Sequence, residues 1–104
     1  MIATNLTPTI ASFLLYISKG ETPHDAVELA CIDVWKTSLI EKQFKDAVLM
    51  AKFEIFRFLH PEISSRIKHA AWLLTFWFLK FEALKDGELE EIENYINSLN
   101  SYFE

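Results

Sequence analysis

Glycine, proline and cysteine are scarce in this chain, whose 104 residues include two glycines, three prolines and one cysteine. Tight β-turns depend on glycine and proline, so little is present from which β-hairpins could be built. The single cysteine, Cys31, excludes an intrachain disulfide, and the N-terminus lacks the basic start and long apolar core of a signal peptide. The composition therefore predicts helices joined by short turns, in a reduced cytoplasmic protein.

Motifs for catalysis and metal binding are also missing from the sequence. Phosphate-binding loops and serine nucleophile elbows require glycine-rich turns, whereas Gly20 and Gly87 each stand alone. The only Glu-x-x-His pair is Glu21 with His24, and its glutamate precedes the predicted helix. No signature of a cysteine enzyme surrounds Cys31. We therefore expect a protein that is not an enzyme and that holds no metal or cofactor.

Positive charge is limited and scattered along the chain. The formal net charge is −5, and the ten Lys and Arg residues do not form a basic run. Such a charge repels phosphate backbones, which argues against nucleic acid as a partner and against a DNA-binding helix-turn-helix. The segment Ala70 to Leu79 is uncharged, but a membrane span needs about 20 apolar residues. We expect neither nucleic-acid binding nor a membrane span.

Two repeated signals mark the first two helices. Thr7-Pro8 and Thr22-Pro23 each combine a hydroxyl that can cap a helix with a proline suited to the first helical position. The first helix is predicted from Pro8 to about Lys19, with Gly20 as a left-handed C-terminal residue. The second begins at Pro23.

Three further helices follow. The capping-box spacing of Ser38 and Glu41 predicts a third helix from Ser38 to His60, although one continuous helix from Pro23 to His60 is the alternative. Pro61 ends this helix, and the fourth runs from the segment Pro61 to Ser64 as far as Lys85. The turn at Asp86-Gly87 precedes a fifth helix that begins at about Glu88.

These elements predict an all-α fold, a compact antiparallel bundle of four to five helices. Every inferred loop is about 2 to 6 residues long, which favours antiparallel neighbours. A chain of this length is expected to form a single domain, residues 1–104, around one hydrophobic core.

Two helices carry more apolar surface than one core face requires. The fourth helix has a broad apolar side and, separated from it by polar residues such as Lys68, a second stripe of Trp72, Phe76, Leu79 and Ala83. The third has a core stripe of Ile40, Phe44, Ala47, Val48, Ala51, Ile55, Phe58 and Leu59, and a smaller apolar group on its opposite side that comprises Leu49, Phe53 and Phe56. These surplus residues are the candidates for an interface or a pocket.

Three arrangements would cover the surplus faces: the chain's own helices, a second copy of the chain, or a bound apolar molecule. Trp and Phe are favoured at the centres of protein interfaces. The leading hypothesis is therefore a protein-interaction module with an adaptor, chaperone-like or regulatory role, a homodimer through the aromatic face. The alternative is a carrier or sensor of a hydrophobic small molecule between the third and fourth helices, with His69 or Arg66 at its polar end.

Overall fold

The computed structural model describes residues 6–35, 41–77 and 87–104, apart from the side chains of Glu41 and Trp77. Within these ranges the chain contains helices and no strand, which confirms the all-α prediction. The helices are α1 (Pro8–Ser18), α2 (Pro23–Trp35), α3 (Glu41–Leu59), α4 (Ser65–Trp77) and α5 (Glu88–Tyr102). No helix in the described ranges combines the length and the apolar character needed to cross a bilayer.

The predicted helix boundaries agree with the structure wherever the sequence signal is local. The hydroxyl oxygens of Thr7 and Thr22 accept hydrogen bonds from the backbone N–H groups of Ile10 and Asp25, at 3.3 Å and 3.2 Å. Gly20 lies just beyond α1 with φ +91°, a left-handed conformation that glycine adopts without strain. Helix α3 ends at Leu59, before His60 and Pro61, as expected.

Two predicted boundaries fall outside the described residues. The capping-box serine, Ser38, lies in residues 36–40, so the choice between a break and a continuous helix from Pro23 to His60 stays a prediction. The predicted second half of the fourth helix, residues 78–85, lies in the other undescribed segment.

Helix α3 is the central element of the fold. The antiparallel neighbours α1 and α2 pack extensively on each other, and both pack on α3. Helix α4 packs on α5, and α5 in turn contacts α3. Buried residues from all five helices form one hydrophobic cluster. Helix α3 therefore has neighbours on two sides.

This arrangement covers apolar residues on two sides of α3. Val48, Ala51 and Ile55 of the predicted core stripe are buried, and Phe53 and Phe56, from the smaller apolar group on the opposite side, are only 5 % and 2 % exposed. The ring of Phe56 contacts that of Tyr95 on α5, at 5.3 Å between centroids. The sequence indicates that the rings of Phe53 and Phe56 need a second neighbour and leaves its identity open; in the structure Phe76 of α4 and Tyr95 of α5 pack against them.

The first and last helices meet at one aromatic contact. The rings of Phe13 on α1 and Phe103, just after α5, pack edge to face with their centroids 6.0 Å apart. Both side chains are almost completely buried. This contact joins the α1–α2 pair directly to the C-terminal end of α5.

We expect Phe103→Ala to lower the free energy of unfolding by about 3 to 5 kcal/mol, because it deletes a buried ring and leaves a cavity next to Phe13. Urea unfolding followed by circular dichroism measures the change. Phe58→Ala is the matched control: that ring is 40 % exposed, so its loss should cost about 1 kcal/mol or less. Equal effects of the two substitutions would contradict this account of the core.

Candidate functional site

A cavity of about 290 Å³ lies where α3, α4 and α5 meet. Its volume is close to the lower end of the range for small-molecule pockets. On α3 and on α4 the lining residues are three or four positions apart, so they lie on one face of each helix. The described lining residues are Met50, Phe53, Glu54 and Arg57 on α3, Lys68 and Trp72 on α4, and Tyr95 on α5.

Lys68 is a buried cation at this cavity. Its side chain is 6 % exposed, and its Nζ donates a hydrogen bond to the backbone carbonyl oxygen of Arg57 at 3.2 Å. Within a helix that carbonyl would accept from the N–H of residue 61, but residue 61 is proline and has no N–H. Lys68 therefore replaces the donor that Pro61 lacks.

This hydrogen bond accounts for only part of what the Lys68 ammonium can donate. The group has three N–H donors, and among the described residues no carboxylate lies within ion-pair distance of it. A buried charge is costly unless it is paired. Lys68 thus has unused donor capacity at the cavity wall.

Tyr95 supplies a second polar group with no partner. The residue is 4 % exposed, and its hydroxyl has no hydrogen-bond partner among the described residues. Such orphaned buried hydroxyls are uncommon, since nearly all buried polar side-chain atoms in proteins are hydrogen-bonded. Lys68 and Tyr95 therefore place two incompletely used donors around the same cavity.

The electrostatics of the site reflect burial and a nearby second cation. Burial lowers the pKa of the Lys68 ammonium, the charge of Arg57 lowers it further, and Glu62 acts in the opposite direction. Burial also raises the pKa of the Tyr95 phenol to about 12, although the charge of Arg57 opposes this shift. The phenol is consequently a neutral O–H donor at neutral pH.

Aromatic rings form the apolar part of the wall. Phe76 packs edge to face on Phe53, with centroids 5.7 Å apart, and lies 5.3 Å from the ring of Trp72. These distances are within the range for favourable aromatic pairs. The contacts hold Phe53 and Trp72 in fixed positions beside the cavity.

The interface or pocket candidates from the sequence divide into four groups. Phe53 and Trp72 both line the cavity, whereas Phe56 lies in the core beside Tyr95. Phe76 and Leu49 are partly buried against the core cluster. The other two candidates, Leu79 and Ala83, lie outside the described residues, so their assignment stays a prediction.

Sequence reasoning missed the two polar residues of the cavity. Helical periodicity places Lys68 in a polar strip between two apolar sides of the fourth helix, and the sequence prediction names no residue of the fifth helix as a pocket candidate. Tyr95 could have been found, because it is three residues after buried Ile92 and four before buried Leu99. No local signal identifies Lys68, whose burial depends on the Arg57 carbonyl of another helix.

The polar residues that were predicted for a pocket do not line it. Arg66 forms a two-pronged ion pair with Glu88 of α5, with N···O distances of 2.9 Å and 3.2 Å. His69 is exposed and its ring stacks beside Trp72. His60 pairs with Glu62 at 2.8 Å. These residues thus make their contacts without lining the cavity themselves.

The remaining chemically interesting residues lie away from the cavity. Cys31 is fully buried, and burial raises its pKa to about 11, so the thiol is protonated at neutral pH. Ligand atoms of His24, Asp25 and Glu28 lie within 4.8 Å of one another, but the group lies at the surface, and His24 pairs with Glu28 at 2.7 Å. An exposed group of this kind does not by itself define a metal site.

No family model matches the chain, and comparisons with curated proteins and with solved structures found no significant match. The case for a functional site therefore depends on the geometry of the cavity.

We expect Tyr95→Phe to leave the free energy of unfolding unchanged or to raise it by about 1 kcal/mol, because a buried hydroxyl without a partner costs about 1 to 3 kcal/mol. Urea unfolding at neutral pH tests this. The matched control is Tyr16→Phe, since the Tyr16 hydroxyl donates to the Asp33 carboxylate at 2.6 Å; its loss should reduce stability slightly. A clear loss of stability in Tyr95→Phe would show that its hydroxyl has a partner.

Proposed function

We propose that this protein is a non-catalytic binding protein, a carrier or sensor that holds a small and largely apolar molecule between α3, α4 and α5. One observation carries the proposal: the cavity combines aromatic walls, Phe53 and Trp72, with two buried polar groups that the described residues do not fully satisfy, Lys68 and Tyr95. Ligand pockets commonly have this composition, with apolar walls and a few placed polar groups.

The volume of the cavity indicates the size of the part of a ligand that the site can enclose. A water molecule occupies about 30 Å³ in the liquid, so about 290 Å³ corresponds to roughly ten water molecules. A molecule of about ten non-hydrogen atoms would fill such a space. The proposed ligand is therefore similar in size to a single substituted aromatic ring.

The absence of catalysis is part of the proposal. The Cys31 thiol is buried and protonated, so it is a poor nucleophile. His60 is engaged by Glu62, and neither residue lines the cavity. A cytoplasmic location, which the free thiol of Cys31 fits, is also part of the proposal.

Binding can be tested with two neutral aromatic probes, indole and 2-phenylethanol. Saturation-transfer NMR should show contact of both with the protein, with dissociation constants of roughly 0.1 to 1 mM for molecules of this size. Mass spectrometry of freshly purified, denatured protein should in addition reveal any compound that copurifies.

Two variants locate the binding site. Met50→Trp places a larger side chain at the cavity wall and should abolish the NMR signal. Phe58→Trp introduces the same ring elsewhere on α3, at a position outside the cavity lining, and should bind normally. If the wild type gives no signal with either probe and releases no compound, the binding proposal is wrong.

A second candidate function is protein association through the aromatic face of α4. The observation that favours it is the incomplete burial of Trp72 and Phe76, which remain partly accessible in the single chain. In a two-fold homodimer the same patch of both copies would be covered. This interaction module, with an adaptor, chaperone-like or regulatory role, differs from the first proposal in requiring a second chain.

The homodimer predicts a mass near twice the 12.1 kDa of the monomer in sedimentation equilibrium. Trp72→Glu should then produce a folded monomer, because a charge at the centre of an apolar interface disfavours association. Trp35→Glu is the matched control, since that indole is 52 % exposed on α2, and it should stay dimeric. A wild type that is monomeric at high concentration would exclude this function.

A further inference from the structure

We propose that the cavity between α3, α4 and α5 binds a monocarboxylate with a small aromatic body, whose carboxylate is held by the Lys68 ammonium and the Tyr95 hydroxyl. This inference rests on the proposed binding function and specifies the chemical class of its ligand. It depends on the ability of the two buried polar groups, Lys68 and Tyr95, to donate hydrogen bonds.

Both buried polar groups of this site can donate hydrogen bonds, because the Lys68 ammonium is a donor only and the Tyr95 hydroxyl can donate as well as accept. Lys68 uses one of its three N–H donors, for the Arg57 carbonyl. The Tyr95 hydroxyl, which uses none of its capacity, has a pKa that burial raises, so it keeps its proton. A ligand that satisfies both groups must present acceptor atoms, and a carboxylate has two acceptor oxygens.

The charge of the site favours an anion. Lys68 is buried without an ion pair among the described residues, and Arg57 contributes a second cation at the cavity wall. A carboxylate would supply the missing counter-charge and form charge-assisted hydrogen bonds, which are stronger than neutral ones. The whole chain has a net negative charge, whereas the cavity lining has more positive than negative side chains.

Glu54 limits the charge that the ligand can carry. Its carboxylate belongs to the same wall and opposes a bound anion. With Lys68 and Arg57 it leaves the wall a net charge of about +1, which a singly charged carboxylate neutralises, whereas a phosphate dianion would leave an uncompensated negative charge at a partly buried site. The geometry therefore favours a monocarboxylate over phosphate.

The aromatic walls select the rest of the ligand. Trp72 and Phe53 are held by their contacts with Phe76, so a flat ring can pack on preformed aromatic surfaces without reordering them. With a volume of about 290 Å³ the cavity accommodates about ten non-hydrogen atoms. Phenylacetate has this size and combines both features, which makes it the probe of choice.

The test compares phenylacetate with phenylacetamide, a neutral molecule of the same shape, by isothermal titration calorimetry of the full chain at pH 7. We expect phenylacetate to bind at least about tenfold more tightly, as a hydrogen bond to a charged group exceeds a neutral one by this order. Equal binding of the two would overturn the carboxylate assignment while leaving the binding function intact. If neither binds although indole or 2-phenylethanol does, only the carboxylate assignment is wrong; if none of the four probes binds and no compound copurifies, both proposals are wrong.

Three variants assign the contacts. Lys68→Met should weaken phenylacetate binding by about tenfold to a hundredfold and leave phenylacetamide less affected. Tyr95→Phe should weaken it by about tenfold without loss of stability, which separates a ligand contact from a structural role. Glu54→Gln should strengthen phenylacetate binding by about threefold or more, because it removes a like charge.

Lys42→Met is the matched control, because it removes one positive charge from an exposed position of α3 outside the cavity lining. It should leave phenylacetate binding within about twofold, since an exposed charge at a distance is screened by salt. If it weakens binding as much as Lys68→Met does, the preference reflects net charge and the site assignment fails.

Inorganic phosphate is the competing anion. It should not displace phenylacetate at millimolar concentration; displacement would show that the site is a general anion site and would overturn the monocarboxylate assignment.

Discussion

The burial of α3 on two sides governs the rest of the structure. A helix at the edge of a bundle needs one apolar face, whereas α3 buries Ile55 among the residues of one face and Phe53 and Phe56 on another. The α1–α2 pair covers one side and α5, with α4 packed on it, covers the other. Because the hydrophobic effect scales with the apolar area removed from water, this central position makes α3 the element on which both halves of the core depend.

The burial of Lys68 at the cavity is connected with the way α3 ends. Pro61 removes the backbone donor that the carbonyl of Arg57 would otherwise use. Lys68 restores the hydrogen bond from α4, and the C-terminal end of a helix is a favourable place for a cation. The result is a buried ammonium group on α4, at the wall of the cavity that Tyr95 and the aromatic rings also line.

Sequence patterns predicted the parts of this structure that depend on local chemistry. The caps at Thr7 and Thr22, the left-handed Gly20 and the end of α3 before Pro61 each involve groups within a few residues of one another. The candidate site was harder to predict, because burial of Lys68 and Tyr95 requires contacts between helices. Periodicity also showed apolar residues on two sides of α3, but it cannot show which elements cover the second side. The pocket prediction identified two aromatic wall residues, Phe53 and Trp72, but not the polar ones.

The contact between Phe13 and Phe103 bears on how the chain acquires its fold during translation. The two residues are separated by almost the full length of the sequence, so the contact closes a long loop with a large entropic cost. Helices α1 and α2 can pair early, as they are adjacent in sequence, whereas Phe103 follows Phe13 only 90 residues later. The ring of Phe13 thus remains without its final partner until the ribosome has added those residues and Phe103 can pack on it.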